Sequence, residues 1–149
     1  MDYLRTMGDR KIGGILIPFN VKDKYRTWWD KNSLIDLDMF ENHPVFWWHS
    51  LKQEYWGRAG RFIRSEFRIL DDGLYGVAEL DEGDVALQIY RTIDRNDAAW
   101  SSSTLPHLQK VRSSGYVERW PLVEGSVAPI DAVVSQPHTT TVFHIRAAM

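Results

Sequence analysis

Three hydroxyl side chains stand in a row at Ser101, Ser102 and Ser103, between Trp100 and the segment Thr104-Leu105-Pro106. A serine hydroxyl is a weak nucleophile at neutral pH and needs a base to take its proton as it attacks. One histidine, His49, closes an aromatic-rich stretch upstream, and one acid, Glu124, interrupts an apolar stretch downstream. Serine, imidazole and carboxylate are the nucleophile, the base and the group that orients the base. If the serine run is extended, Ser101 and Ser103 face one way and Ser102 the other, so only one face can meet His49. The bland alternative is a solvated loop, the usual fate of a serine run. Asp131 and His138, in a Pro-containing stretch, are further candidates for the orienting position. Oxyanion donors made of backbone N–H groups would leave no residue signature.

These residues need rigid elements to bring them together. Residues 12–19 are apolar, contain Gly13 and Gly14 and close on Pro18-Phe19; they read as a strand with a bulge or a close backbone approach. Residues 34–40 alternate loosely and read as a strand. Val45-Phe46-Trp47-Trp48-His49 is a run of β formers after a proline, and it delivers His49 at a strand end. Gly57 to Gly60 turn the chain. Residues 61–70 read as a strand, Asp71-Asp72-Gly73 as a hairpin turn, and residues 74–80 as the returning partner. The acidic segment 81–84 supplies an N-cap to a helix over 85–96, whose apolar stripe is Val85, Ala86, Ile89, Tyr90 and Ile93. The serines follow. Residues 116–123 and 124–129 read as extended, with Pro121 marking an edge, and 139–145 as a last strand. The sum is five to eight strands and one helix: a mainly β (α+β) chain, its sheet antiparallel and able to close as a barrel.

Composition narrows the function. The chain has 149 residues, enough for one domain with a real core. Eighteen basic residues against twenty acidic ones, net −2, argue against a nucleic-acid partner. Cysteine is absent, so disulfides and thiolate zinc sites are excluded, and the five histidines form no H-E-x-x-H pair; neither a catalytic metal nor a cofactor is expected. No signal-peptide core and no membrane-length apolar run is visible, so the expected setting is a cytoplasm, with no membrane partner. Seven tryptophans invite a carbohydrate- or peptide-binding reading, but several sit in runs that look buried and are expected to fill a small β core.

The order of these segments resembles the tailed-phage prohead proteases, related in fold to the herpesvirus capsid-maturation protease, assemblin. Gly13-Gly14-Ile15-Leu16-Ile17-Pro18-Phe19 looks like the family's opening strand. Pro44-Val45-Phe46-Trp47-Trp48-His49, with Gly57-Arg58 after it, looks like the segment carrying the catalytic histidine. Asp71-Asp72-Gly73-Leu74-Tyr75-Gly76 looks like its hairpin. Ala99-Trp100-Ser101-Ser102-Ser103-Thr104-Leu105-Pro106 and Arg119-Trp120-Pro121-Leu122-Val123-Glu124-Gly125-Ser126-Val127-Ala128-Pro129 look like the nucleophile segment and the strand after it.

The resemblance implies a herpesvirus-protease-like antiparallel β-barrel with flanking helices, over residues 12–149 after a flexible arm at 1–11. It implies a serine endopeptidase that trims scaffold or major capsid protein in the host cytoplasm, inside the assembling prohead, and a possible homodimer. Ser101 is then the nucleophile, with Ser102 the alternative, His49 the base and Glu124 the orienting group. Two departures stand out. Ser103 occupies a position where many relatives have glycine. The chain also ends soon after the barrel, which assigns the scaffold role to another chain. A non-catalytic capsid-assembly module of the same fold and a tryptophan-rich binding domain are the alternatives.

Overall fold

The structure, a computed structural model, describes residues 10–47 and 57–145. His49 lies outside the described residues, as does most of the N-terminal arm. Lys11, assigned from sequence to that arm, already belongs to the first strand.

The elements in chain order are β1 (Lys11–Pro18), β2 (Pro44–Trp47), β3 (Arg58–Phe62), β4 (Arg68–Leu70), β5 (Gly73–Leu80), α1 (Asp84–Asp94), β6 (Ala98–Ser103), β7 (Lys110–Val111), β8 (Val117–Arg119), β9 (Glu124–Pro129) and β10 (Phe143–Ile145). One sheet runs β10-β1-β5-β3-β2-β9-β6, with β4 on β5; β7 and β8 form a separate hairpin. Every pairing is antiparallel except β2 with β9, which is parallel. The sheet curls into a half-barrel. Its last strands approach each other through the segment before β10, where Trp100 donates to Thr140 O and Val142 donates to Ala98 O.

The described residues form ten strands against the expected five to eight: the serine run and Lys110–Val111 add β6 and β7, and one expected strand is split. Between Phe62, paired with Ala78, and Arg68, paired with Tyr75, residues 63–67 face only residues 76–77 of β5. The excess backbone coils into a single 3₁₀ turn at Arg64–Glu66. The strand expected over 34–40 does not form. Leu34 makes one isolated bridge to Arg119, and the segment then turns. Its acids are occupied elsewhere, Asp36 with Arg119 and Asp38 with Arg64. Of residues 116–123 only Val117–Arg119 is strand.

Gly14 shows why glycine opens β1. A side chain there would stand 2.3 Å from the Thr141 carbonyl, and its φ of 150° lies in glycine territory. The expected close approach is present, while the irregularity in register falls at Ile15/Ile17.

The helix packs Ala86, Ile89, Tyr90 and Ile93 into the same core as Val45, Trp47, Ala59 and Leu80, with Val85 at the margin. Its expected acidic cap is replaced. Gly83 holds the N-cap with φ 129° and no side-chain hydrogen bond, and Asp84 instead complements the first-turn dipole. Asn96, at φ 55°, ends the helix in the left-handed conformation that Asn tolerates. Among the described tryptophans, Trp29, Trp47 and Trp100 are buried, as the core-filling reading expects. No helix among the described residues is long and apolar enough to cross a membrane.

Candidate functional site

The serine run is a strand, not a loop. Its first half is fixed by burial: Ala98, Ala99 and Trp100 are buried, and the Trp100 ring packs 5.0 Å from that of Phe62. The polar half, Ser101–Ser103, is half-buried and stays in register on β9. The order β2-β9-β6 sets three rows across the sheet. Trp47, Val127 and Trp100 form one; Phe46, Ser126 and Ser101 the next; Val45, Gly125 and Ser102 the third. Alternation then divides the serines. Ser102 shares the core face with Trp100 and Gly125. Ser101 and Ser103 share the opposite face with Ala99, Ser126 and Glu124. Gly125 has no room for a side chain, because a Cβ would lie 2.7 Å from the Phe62 ring.

Glu124 opens β9 directly opposite Ser103. Burial pushes its carboxyl above the usual carboxylate range, and the facing Ser103 hydroxyl pulls it partly back. A half-desolvated carboxylate on the serine-bearing face is suited to orient and charge-stabilise a neighbouring cation. Its cross-strand neighbour is nonetheless Ser103, while Ser101 pairs with Ser126. The residue flagged in the sequence as a departure is therefore the one that contacts the expected orienting group.

No protein-family model, curated protein or solved structure matches this chain.

The functional reading therefore rests on these residues themselves. The structure brings Ser101, Ser102, Ser103 and Glu124 onto one two-stranded patch, and it sets β2, the strand leading toward His49, on the other side of β9. His49 itself lies outside the described residues. Asp131 and His138 are exposed. Asp131 follows the far end of β9, where Pro129 pairs with Ala98, so it does not meet the serines.

Two features escaped the sequence reading. A cavity of about 440 Å³ lies against Ser101 and Ser102, walled by Trp29, Trp120, Val111 and Val134. Trp29 and Trp120 meet edge to face at 5.2 Å, and the indole N–H of each has no hydrogen-bond partner. Nothing in the spacing of 29, 120 and 101 announces this, because the contacts join distant segments. The second is His43, which is buried against Phe67 with Nε2 unpartnered. Burial is the main reason its pKa falls below the usual value, helped by the Arg64 charge; Asp38 and the Leu122 carbonyl oppose the shift. It lines a separate cavity of about 360 Å³ with Lys11, Arg61 and Glu79. A further imidazole–carboxylate pair, His144 Nε2 with Asp94 Oδ1 at 3.1 Å, lies where β10 meets α1, with the His144 ring stacked on Tyr90. Among the described residues no cluster of His, Asp and Glu has the arrangement of a metal site.

Proposed function

We propose that this chain is a serine endopeptidase of the prohead-protease type, herpesvirus-protease-like in fold, which cleaves scaffold or capsid protein in the host cytoplasm as the phage head matures. Ser101 attacks the scissile carbonyl, His49 accepts its proton and passes it to the leaving amine, and Glu124 holds the imidazole in the right tautomer. Ser102 is the alternative nucleophile. The observation that carries this reading is the strand order β2-β9-β6: the strands of Glu124 and of the serines pair in full register, and β2, which leads toward His49, lies beside β9 with Phe46 level with Ser126 and Ser101 before it runs on to Trp47, level with Val127. The raised pKa of Glu124, half-buried on the face of Ser101, supports its role. The family resemblance extends the reading to a homodimer.

One observation favours the non-catalytic assembly module instead. Glu124 stands opposite Ser103, not Ser101, so the expected orienting group is level with a different serine from the expected nucleophile. Co-expression with the neighbouring capsid gene product, followed by intact mass measurement, separates the two. A discrete truncation of the partner that disappears in Ser101→Ala supports the protease. An intact partner, with no labelling of the chain by a fluorophosphonate, leaves the assembly module.

A further inference from the structure

The two edges of β6 are not alike. On one side it is paired with β9 throughout, from Ala98↔Pro129 to Ser103↔Glu124, without a break in register. On the other, Ala98 O accepts from Val142 N and Trp100 N donates to Thr140 O. Alternation along a strand sends the N–H and C=O of every second residue to the same edge, so those of Ser102 point outward with those of Ala98 and Trp100. The covering segment does not continue that far. Thr139 N turns back to Gln136 O, and no hydrogen bond among the described residues joins it to Ser102. The outer edge of β6 is therefore covered through Trp100, which is wholly buried, and open at Ser102.

The cavity floored by Trp29 and Trp120 lies at this open stretch. Ser101 and Ser102 face opposite sides of the sheet, yet both line it, and only the strand's outer edge is accessible from both sides. Most of its surface is apolar, from Tyr25, Trp29, Val111, Trp120 and Val134, although Thr27, Gln109 and Ser135 join the two serines in its lining. Among the described residues Asp23 is its only carboxylate or amine, and Oδ1 of Asp23 is taken by the N–H groups of Tyr25 and Thr27. The indole N–H groups of Trp29 and Trp120 are buried behind this wall, without a hydrogen-bond partner among the described residues. The competing short strand β4 exposes Ile69 and Leu70, and none of the three cavities at His43, Ser102 and Tyr116 is lined by it.

We propose that the open edge of β6 at Ser102 is a strand-addition site for an extended peptide, one apolar side chain of which fills the Trp29/Trp120 cavity. The peptide main chain continues the ladder at the N–H and C=O of Ser102, and the cavity supplies selectivity. This rests on the protease reading, for which it names the substrate: a segment extended at the cut site, with a leucine- or phenylalanine-sized residue beside the nucleophile. A charged residue there would be left desolvated and unpaired.

The test separates binding from cleavage. Full-length protein carrying Ser101→Ala and Ser102→Ala, which keeps the backbone amide at 102, is titrated with acetylated, amidated Ala/Thr hexapeptides bearing Leu, Phe, Asp or Lys at one central position. Amide exchange at residue 102 and tryptophan fluorescence are followed. The Leu and Phe peptides should slow exchange at 102 at least about ten-fold, and the Asp and Lys peptides should not. Methylating the peptide nitrogens should abolish the protection. Val134→Trp, which fills the cavity, should weaken the Phe peptide at least about ten-fold; if that variant fails to fold, the central-residue series decides alone. Equal binding of the Asp and Phe peptides, protection only on another strand, or no binding at millimolar peptide overturns the proposal. So does protection at 102 that rises with protein concentration alone, which would make a second copy of the chain the occupant. Fluorophosphonate labelling of the wild type reads the protease independently: labelling without strand addition sinks this inference only, and strand addition without labelling leaves a peptide-binding domain.

Discussion

Glu124 stands directly across β6–β9 from Ser103, whose hydroxyl favours its charged form. Ser101, two residues back on the same face, is opposite Ser126. The pair fixes how the site responds to pH. The folded Glu124 carboxyl lies above its ordinary value of 4.5 because burial disfavours the charge. A raised carboxyl contributes stability below the unfolded pKa and loses it as pH rises through the folded one. Urea unfolding across that window should therefore show Glu124→Gln gaining on the wild type as pH rises from 4.5. Ser103→Ala removes the hydroxyl that favours the charged form, so the Glu124 midpoint, read by carboxyl-carbon NMR, should move up further. A midpoint unchanged in Ser103→Ala would show that the hydroxyl does not hold the carboxylate.

Ser101→Ala and His49→Ala should each lower substrate processing at least about a thousand-fold, and the double change should add almost nothing, because the parts of a catalytic unit are not additive. Glu124→Gln should cost less than either, since nucleophile and base remain. Rates are measured by intact mass of the co-expressed capsid partner. Full processing by Ser101→Ala with loss in Ser102→Ala would move the nucleophile to the core face of β6.

His43 should make the fold acid-sensitive. Its folded pKa lies below the ordinary 6.5, with burial the first cause. The stability linked to it is present above 6.5 and is lost as pH falls toward the folded value, because the unfolded chain takes up the proton first. Chemical denaturation from pH 7.5 to 5 should show the wild type weakening faster than His43→Leu. Parallel slopes would assign the acid loss to other groups.

Trp100 holds the serine strand against the core. Trp100→Ala should cost about 3–5 kcal/mol by cavity formation, and Gly125→Ala should destabilise by driving a methyl into the Phe62 ring. Thermal and urea unfolding read both. A Gly125→Ala protein as stable as the wild type would mean that Phe62 has room to move.

Local patterns were enough for several elements. The 3.6-residue stripe of Ala86, Ile89, Tyr90 and Ile93 placed α1, since each of those side chains must find the core. The Asp71-Asp72-Gly73 turn joined β4 to β5, because its chemistry is confined to neighbouring residues. Residues 124–129 were read as extended and form β9. The division of the serines by face was also legible, since it needs only that the run be extended, and the strand supplies that.

Tertiary contacts decided the rest. The split of residues 61–70 into β3 and β4 follows from β5, which offers too few residues to pair with all of them. Residues 34–40 lack a strand because no neighbour takes up their hydrogen bonds beyond the bridge at Leu34. The pairing of Glu124 with Ser103 rather than Ser101 is a matter of register between strands some twenty residues apart, which no single segment encodes. The cavity at Ser102 joins side chains from residues 23–29, 101–102, 109–120 and 134–135. Sequence by itself determined which residues can do chemistry and which segments are rigid; the sheet's register and curl decided which of them meet, because long-range pairing is a property of the whole ladder.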